Sequence, residues 1–301
     1  MSEPVNKPIV LGFPEYRQPA RRLADAAKLD YASVQTHTFP DGESLVRLSR
    51  KLPEQVILFS SLDQPNRRLV ELELAAATAI QLGAHRLTLV APYLCYMRQD
   101  KAFHPGEAVS QTIIGELLAR RFDTLITVDP HLHRTHALKD AVPAHRAVAL
   151  SAAPVMAAWL EKHAGQFGGK PLLVGPDEES EQWLSAIAAP AGLEYVVAHK
   201  QRLGDREVRI HLPDFAFQKR HVVLVDDIAS TGRTLEAAAR QLFAVQAASV
   251  SALVSHALFI GDTLQRLDMA GVGLVCSTDS IPHSTNRIYL NELLAEALPE
   301  I

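Results

Sequence analysis

The hydrophobic positions of the chain follow two alternating patterns. Short apolar runs such as Ile9–Phe13, Val56–Leu62 and Val222–Val225 are typical of buried strands. Stretches such as Asn66–Leu82 repeat apolar residues with the period of one helix face. Further strands are predicted at Val34–Phe39, Leu45–Leu48, Arg86–Leu94, Thr124–Val128, Leu172–Gly175, Tyr195–Ala198, Val208–Leu212, Val250–Phe259 and Leu274–Ser277, and further helices at Gln18–Leu29, Val109–Arg121, Ala153–Lys162 and Leu235–Phe243.

Strands that alternate with helices predict a parallel sheet covered by helices on both faces. The alternation runs along the whole chain and falls into two sets of comparable length. We therefore predict an α/β fold of two similar domains, residues 1–147 and residues 148–301, each a mainly parallel sheet flanked by helices. Sequence repetition between the halves is weak, so this duplication rests on the pattern of elements.

Composition and charge narrow the class of protein. The 301 residues are 48% hydrophobic and 21% charged, as in an ordinary globular protein. The net charge of −4 comes without a block of like charges, so nucleic acid is not an expected partner. Polar residues interrupt the most apolar long window, Leu242–Gly261, so no membrane association is expected.

The chain start and the cysteines suggest where the protein works. The first residues lack the charged and then apolar order of a signal peptide. Cys95 and Cys276 stand in apolar surroundings, without a Cys-x-x-Cys motif. They are expected to be small core residues in a reducing compartment. A cytoplasmic location is therefore expected.

Clusters of polar residues follow five of the predicted strands. In open α/β sheets, ligands bind beyond the carboxyl ends of the strands. Because acids, bases and a histidine all occur at such ends, they predict a binding site for a charged ligand. The clusters are Arg98–Lys101, Asp129–His131, Asp177–Glu179, Lys200 with Arg202, and Asp226 with Asp227.

The stretch His221–Leu235 carries the most specific chemistry. An apolar run leads into an acidic pair, then a Ser-Thr-Gly turn, then a helix. Such a turn directs backbone N–H groups and the positive end of a helix dipole at one spot, which suits a phosphate. It lacks the lysine of a Walker loop and the three glycines of a dinucleotide fingerprint. The alternative is an ordinary strand-to-helix turn capped by Ser230 or Thr231.

That stretch resembles the phosphoribosyl-pyrophosphate signature of type I phosphoribosyltransferases. Together with the other motifs, from about Phe39 to Ile288, the chain resembles the ribose-phosphate pyrophosphokinase family, and it is closer to the archaeal-type members. The matching motifs stand in the family's order: Phe39-Pro-Asp-Gly-Glu43, Pro65-Asn66 to Leu72, Ala91 to Asp100, Lys101 to Glu107 with Ser110, Thr127 to His131, Gly175-Pro-Asp177, Lys200-x-Arg202 with Glu207-Val208, and the signature.

The resemblance implies two type I phosphoribosyltransferase-like domains and transfer of a pyrophosphoryl group from ATP to ribose 5-phosphate, with release of AMP. The C-terminal domain would bind ribose 5-phosphate and carry the catalytic flap with Lys200 and Arg202. The residues expected to bind ribose 5-phosphate are Asp226, Asp227, Ser230, Thr231, Gly232 and Thr234.

The resemblance assigns the ATP-binding elements and the oligomer contacts to the N-terminal domain. In the family, the loop Phe39–Glu43 reaches the site of a neighbouring subunit, which implies a homo-oligomer, a dimer or larger. The residues expected to bind ATP are Phe39, Asp41, Glu43, Arg98, Gln99, Asp100 and His131.

His131 and Asp177 resemble the family's metal-binding pair, with Mg²⁺ as the expected cofactor. Mg²⁺ prefers oxygen ligands, so an imidazole ligand is atypical, and the resemblance alone assigns His131 to the metal. Asp129 could orient His131 from behind. His133 and His136 allow a zinc alternative, which lacks cysteines and a clear fourth ligand.

Three features depart from the family pattern. Ser230 stands where many members have a third acid, Ala102 follows Lys101 where an Arg-Lys pair is usual, and Glu178-Glu179 replace small residues.

Two other functions remain open from the residues. A phosphoribosyltransferase would share the signature but would not need the loop Phe39–Glu43. A non-catalytic, regulatory relative would keep the fold and could lose Lys200 and Arg202, which are both present here.

Overall fold

The computed structural model describes residues 7–49, 51–132, 134–135, 137–202 and 208–299, apart from the side chains of Arg202 and Val208. The chain divides into two compact units. The first contains the described residues up to Leu150 together with Ser280–Pro282 and the segment from Leu290 onward. The second contains Ser151–Asp279 and His283–Tyr289. The division after Leu150 falls three residues beyond the predicted one at 147, and the chain end belongs with the first unit.

The first unit is built on a six-stranded sheet whose described strand pairs are all parallel, in the order β2-β1-β5-β6-β7-β8. A separate antiparallel hairpin is formed by β3 and β4. The strands are β1 Ile9–Gly12, β2 Asp30–Ser33, β3 Gln35–Thr38, β4 Ser44–Arg47, β5 Gln55–Phe59, β6 Arg86–Val90, β7 Thr124–Val128 and β8 Arg146–Leu150. The helices are α1 Arg17–Ala26, α2 Pro65–Gln81, α3 Ser110–Ala119 and α4 Leu138–Ala141.

The second unit has the same plan. Its six strands pair in parallel in the order β10-β9-β13-β14-β15-β16, and β11 and β12 form an antiparallel hairpin. The strands are β9 Leu172–Gly175, β10 Tyr195–Val197, β11 His199–Arg202, β12 Val208–His211, β13 His221–Ala229, β14 Ser249–Ala257, β15 Val272–Thr278 and β16 Asn286–Ile288. The helices are α5 Ala153–Lys162, α6 Glu181–Ala191, α7 Arg233–Ala244 and α8 Thr263–Met269; the chain then enters α9 Asn291–Glu296, which packs against α1 of the first unit.

The two sheets are topologically identical. In each, the first strand lies between the second and the third, the remaining strands follow in order, and a hairpin is inserted after the second strand. This confirms the prediction of two similar α/β units with mainly parallel sheets. The hairpin β3–β4 is thus the counterpart in the first unit of the hairpin β11–β12 in the second.

Burial follows the apolar runs. The central strands of the first sheet supply fully buried residues such as Val10, Leu58 and Leu89. Val222 and Leu224 do the same for the second sheet, where they join one cluster with α7. Both cysteines are buried free thiols, as predicted, and burial raises the pKa of Cys95 to about 12 and that of Cys276 to about 11. Across the described residues, no helix combines the length and the apolar character needed to cross a membrane.

The sequence predictions differ from the structure mainly at the sheet edges. The predicted strand Val34–Phe39 is shorter, and the unpredicted edge strand β2 precedes it. The edge strands β8 and β16 were also missed. The reason is that an edge strand packs on fewer neighbours, so its sequence need not form a long apolar run: β2 is exposed or half-buried along its whole length.

Candidate active site

The acidic pair lies inside a strand. β13 runs to Ala229, four residues beyond the predicted end at Val225, because β14 continues to pair with it up to Ala257. The neighbouring strand β9 pairs with β13 only up to Leu224. Asp226 and Asp227 therefore lie on a part of β13 that extends past β9, with one edge open to the loop that follows β9.

Three carboxylates and one ammonium group interact at this edge. The Nζ atom of Lys200 lies 2.9 Å from Oδ2 of Asp177, and both side chains are largely buried. Burial raises the pKa of Asp226 well above its usual range, the charges of Asp227 and Asp177 raise it further, and Lys200 opposes this rise. The site thus holds more negative charge than its own cation balances. Such a site favours cations and groups that donate hydrogen bonds.

The turn after β13 has the geometry expected of an anion cradle. Gly232 caps α7 with a φ of +66°. The hydroxyl of Thr263 donates to the carbonyl of Ile260 at 2.6 Å and lies 3.3 Å from the carbonyl oxygen of Ser230. The guanidinium of Arg266 donates to the carbonyl of Thr231, so the carbonyls of Ser230 and Thr231 both face α8. Because the C=O and the next N–H of a peptide point in opposite directions, the amides that follow these carbonyls face away from α8. Together with the start of α7, they gather N–H donors of the kind that suits a phosphate.

Gly232 is required for packing as well as for backbone conformation. A Cβ atom at this position would lie 2.4 Å from Cγ2 of Thr263. Thr231 beside it is exposed and Thr234 is half-buried in the first turn of α7. The turn, β13 and α7 appear in the predicted order, and α8 is an addition that sequence reasoning missed. Thr263 and Arg266 carry no motif; their i,i+3 spacing on one helix is a weak signal.

The hairpin β11–β12 carries Lys200 opposite Ile210, whose buried side chain fixes the register. The backbone of Arg202 ends β11, and its side chain is outside the described part of the chain, as are residues 203–207 with Glu207. Glu178 lies 3.0 Å from the imidazole of His199 on the same hairpin. This contact gives a partner to Glu178, one of the two acids that depart from the family pattern.

In the first unit, the loop Phe39–Glu43 forms the exposed tip of the hairpin β3–β4. The tip is closed by two backbone bonds, from the amide of Phe39 to the carbonyl of Glu43 at 2.8 Å and from the amide of Gly42 to the carbonyl of Phe39 at 2.9 Å. Oδ1 of Asp41 accepts from the amide of Glu43 at 3.1 Å. Phe39 is 40% exposed and contacts the ring of His37 edge-on. The tip therefore presents an aromatic ring and two carboxylates.

The segment after β6 places the next predicted ATP residues. Arg98 is exposed, and Oε1 of Gln99 accepts from Ser110 at 2.7 Å. Asp100 accepts two contacts from Nη1 of Arg134, at 2.8 and 3.1 Å, and its side chain is 2% exposed. Asp100 is therefore engaged with a cation, and Arg134 is a further candidate residue that sequence reasoning missed. Its signal was a lone arginine near His131.

The two predicted metal ligands belong to different units. His131 follows β7 in the first unit, and Asp177 follows β9 in the second. The backbone of Asp129 has a φ of +38°, and its amide donates to Leu150 at 2.8 Å. Within the described residues, which leave out His133 and His136, no group of three or more His, Cys, Asp or Glu could hold a metal ion. Mg²⁺ commonly uses one or two carboxylates plus water and phosphate oxygens, and the carboxylates around Asp226 fit that mode.

Two protein-family models match the chain. The N-terminal domain of ribose phosphate pyrophosphokinase matches residues 9–121, and the phosphoribosyl transferase domain matches residues 149–266. A solved structure, that of phosphoribosylpyrophosphate synthetase from Mycobacterium smegmatis, superposes with a TM-score of 0.80 over 96% of this chain and 97% of that chain. At 21% sequence identity, this likeness concerns the fold alone.

Relatives extend over nearly the whole length of the chain. The ribose-phosphate pyrophosphokinase of Methanopyrus kandleri is 35% identical over 295 residues, which cover 97% of this chain and 99% of that protein. Ribose-phosphate pyrophosphokinase 2 of Archaeoglobus fulgidus is 34% identical over 92% of this chain and 95% of its own length. The chain belongs to the ribose-phosphate pyrophosphokinase family.

Proposed function

We propose that this chain transfers the pyrophosphoryl group of ATP to the anomeric hydroxyl of ribose 5-phosphate. The anomeric oxygen attacks the β-phosphorus, the bond from the β-phosphorus to the bridging oxygen breaks, AMP leaves with that oxygen, and the hydroxyl proton is released. As a family member related over nearly its whole length, the chain is an enzyme, a ribose-phosphate pyrophosphokinase. Among structural observations, the turn after β13, beside Asp226 and Lys200, carries the proposal.

The second unit is the proposed site for ribose 5-phosphate. The amides of the turn, with the hydroxyls of Ser230, Thr231 and Thr234 and the backbone of Gly232, would hold the 5-phosphate. Asp226 and Asp227 would accept hydrogen bonds from the ribose hydroxyls. A hydroxyl donor would stabilise the charged form of Asp226, which burial and the neighbouring acids disfavour by raising its pKa.

Lys200 and Arg202 are the proposed catalytic residues. During the transfer, negative charge grows on the bridging oxygen that leaves with AMP, and a cation placed there lowers the barrier. In the structure, Lys200 is bonded to Asp177. We propose that Lys200 exchanges this carboxylate for the phosphates of ATP. That exchange would bring its charge to the reacting group only when substrate is present.

The first unit is the proposed site for ATP. Phe39 would stack on the adenine, with Asp41 and Glu43 accepting from amino or hydroxyl groups. Arg98, Gln99, Asp100 and His131 would contact the rest of the nucleotide. The pairing of Asp100 with Arg134 supports a role in which Asp100 orients that guanidinium towards phosphate oxygens. This would supply a cation in a region where Ala102 lacks the usual one.

Mg²⁺ is the proposed cofactor. His131 and Asp177 would be its protein ligands, and the acidic pair offers further oxygen atoms. Held there, Mg²⁺ would supply positive charge that offsets the negative charge of the phosphates. The excess negative charge around Asp226 supports a cation there.

The assembly and location follow from the same proposal. The exposed loop Phe39–Glu43 would reach a neighbouring copy, so we propose a homo-oligomer, which light scattering of the purified protein tests. The two free thiols fit the reducing cytoplasm.

The test is direct. Purified protein is mixed with ATP, Mg²⁺ and ribose 5-phosphate, and AMP and phosphoribosyl pyrophosphate are followed by chromatography. AMP that forms in step with the sugar product, and only when ribose 5-phosphate is present, is the expected result. No AMP, with ribose 5-phosphate still bound in calorimetry, would instead identify a non-catalytic relative.

A further inference from the structure

The hairpin β3–β4 lacks the support of the main sheet. It forms a two-stranded sheet of its own, and most of its residues are exposed or half-buried. An isolated two-stranded hairpin is marginally stable in water, so other contacts must fix its position. The structure provides such contacts from α2, which packs against β4.

Glu71 of α2 is the buried anchor of this contact. Its carboxylate is fully buried and accepts from three donors. Oγ of Ser44, the first residue of β4, donates at 3.3 Å, Nε of Arg67 at 2.8 Å and Nη1 of Arg68 at 2.8 Å. Ser44 directly follows Glu43, so the anchor acts on the residue next to the hairpin tip.

Arg68 extends the anchor to the strands of the first sheet. Its side chain is 2% exposed, donates to Glu15 at 2.9 Å and lies over the ring of Tyr16, with 5.2 Å between the guanidinium carbon and the ring centroid. The hydroxyl of Tyr16 bonds to Asp63, which follows β5. Burial alone would raise the pKa of Glu15, but the hydrogen bond and the charge of Arg68 outweigh it and lower that pKa.

A buried ion network of this kind contributes little net stability to the folded protein. Removing charges from water costs free energy that the ion pairs do not always recover, and apolar side chains of similar size often serve as well. The network instead fixes the relative positions of structural elements, because each hydrogen bond holds two groups in a defined geometry. Here those groups come from the end of β1, the start of α2 and the hairpin.

We infer that Glu71 and Arg68 are positioning residues that hold the hairpin β3–β4, and through it the loop Phe39–Glu43, in the geometry needed to bind the purine nucleotide. The inference rests on the proposed function of that loop in ATP binding. It adds that the affinity for ATP is set in part by a buried network that makes no contact with the nucleotide.

Two variants weaken the anchor to different degrees. Ser44→Ala removes one hydrogen bond and leaves the buried charges intact, so the protein should fold normally. Glu71→Gln neutralises the acceptor shared by all three donors. The control is Glu73→Gln, also on α2, which loses a surface ion pair with Arg121.

Hydrogen exchange and steady-state kinetics are measured on the full-length variants. We expect faster amide exchange in β4 for Ser44→Ala and Glu71→Gln, and a rise of roughly five- to tenfold in KM for ATP, because a hydrogen bond to a charged group is lost. KM for ribose 5-phosphate should stay unchanged. Glu73→Gln should match the parent protein in all three measurements.

The outcomes separate this inference from the proposed function. Unchanged exchange in β4 for Ser44→Ala and Glu71→Gln would overturn the inference. Phe39→Ala, measured in parallel, tests the loop itself. If Phe39→Ala also leaves KM for ATP unchanged, the ATP role of the loop fails, while faster exchange of β4 would still support the anchor. A raised KM for Phe39→Ala with no change in KM for Ser44→Ala and Glu71→Gln would overturn the positioning role.

Discussion

The role of the positive charge of Lys200 can be tested by mutation. It is held by Asp177, and both side chains are 17% exposed. If Lys200 acts on charge that grows in the transition state, Lys200→Ala should lower kcat by about 10²–10³-fold, as loss of one preorganised donor does in other enzymes. Ribose 5-phosphate should still bind, because its proposed cradle lies after β13. Steady-state kinetics and calorimetry with ribose 5-phosphate check both parts.

A surface lysine provides the comparison for this variant. Lys170 is exposed, and Lys170→Ala should leave kcat and ribose 5-phosphate binding as they are. An unchanged kcat in Lys200→Ala would remove Lys200 from the proposed catalytic residues. Loss of ribose 5-phosphate binding in Lys200→Ala would show instead that Lys200 contributes to substrate binding.

The raised pKa of Asp226 makes the stability of the folded protein depend on pH. Its pKa in the folded protein is raised by burial and then by Asp227 and Asp177. A folded pKa above the unfolded value, about 3.9 for Asp, favours the folded state at low pH, and this contribution is lost as pH rises through the folded pKa. Asp226→Asn should therefore make the protein more stable at neutral pH and flatten its stability profile, while ribose 5-phosphate binding weakens.

Urea unfolding from pH 5 to pH 8, without metal or substrate, measures this effect. Asp268→Asn is the comparison, because Asp268 is exposed in α8. We expect a gain in unfolding free energy for Asp226→Asn that grows with pH, and none for Asp268→Asn. A loss of stability at pH 8 would show that Asp226 is stabilising in its charged form, against the direction of its pKa.

Prediction from sequence works at single residues where a polar side chain follows an apolar run of the sequence. Asp226, Asp177 and Lys200 were found this way, and the structure places the three within electrostatic reach of each other. Arg266 and Arg134 were missed, because each acts through a contact far away in the chain, with Thr231 and with Asp100. Such contacts depend on how loops return to the sheet edge, and no local pattern encodes that.

At the level of elements, the turn between β13 and α7 depends on a glycine. Gly232 has a φ of +66°, and an added Cβ would lie 2.4 Å from Cγ2 of Thr263. Gly232→Ala should destabilise the protein by more than about 1 kcal/mol, since the backbone strain and the clash add. It should also weaken ribose 5-phosphate binding, because relief of the clash moves the turn. Thermal unfolding and calorimetry measure the two effects.

Second variants separate the two causes. Thr263→Ser removes Cγ2 and keeps the hydroxyl that donates to Ile260, so Gly232→Ala combined with Thr263→Ser should recover part of the binding. Gly273→Ala tests glycine loss in general, because no atom lies within 4 Å of its added Cβ. Normal binding in Gly232→Ala would contradict the assignment of this turn to the phosphate.

The elements that sequence predicts best are those with an unambiguous period. α5 and β9 match their predicted bounds, and α2 differs by one residue at each end. β13 was predicted too short because its last residues include two aspartates, which strands normally disfavour. Pairing with β14 outweighs that preference, so the strand carries the acids into the site.

At the scale of the whole chain, the repeated strand order is the feature that sequence alone could only suggest. Both sheets follow one order although the halves share little sequence. The two sheets differ after their third strands. β13 ends in a glycine turn beside two aspartates, whereas β5 leads through Ser60 and Ser61 to α2. The buried network of Arg68 and Glu71 lies in α2, which follows β5, and Glu71 accepts a hydrogen bond from Ser44 of the hairpin β3–β4.

The return of the chain end to the first unit leads to a prediction about the division of the molecule. α9 packs against α1, and Leu294 is 2% exposed. Leu294→Ala should lower the unfolding free energy by about 2–5 kcal/mol, the usual cost of such a truncation in a core. Amide exchange should rise in α1 and stay constant in α7, because α9 belongs with the first unit. Met269→Ala, at a position 72% exposed, should change neither measurement. Faster exchange confined to α7 would assign the chain end to the second unit, as the simple division of the sequence into two halves would have it.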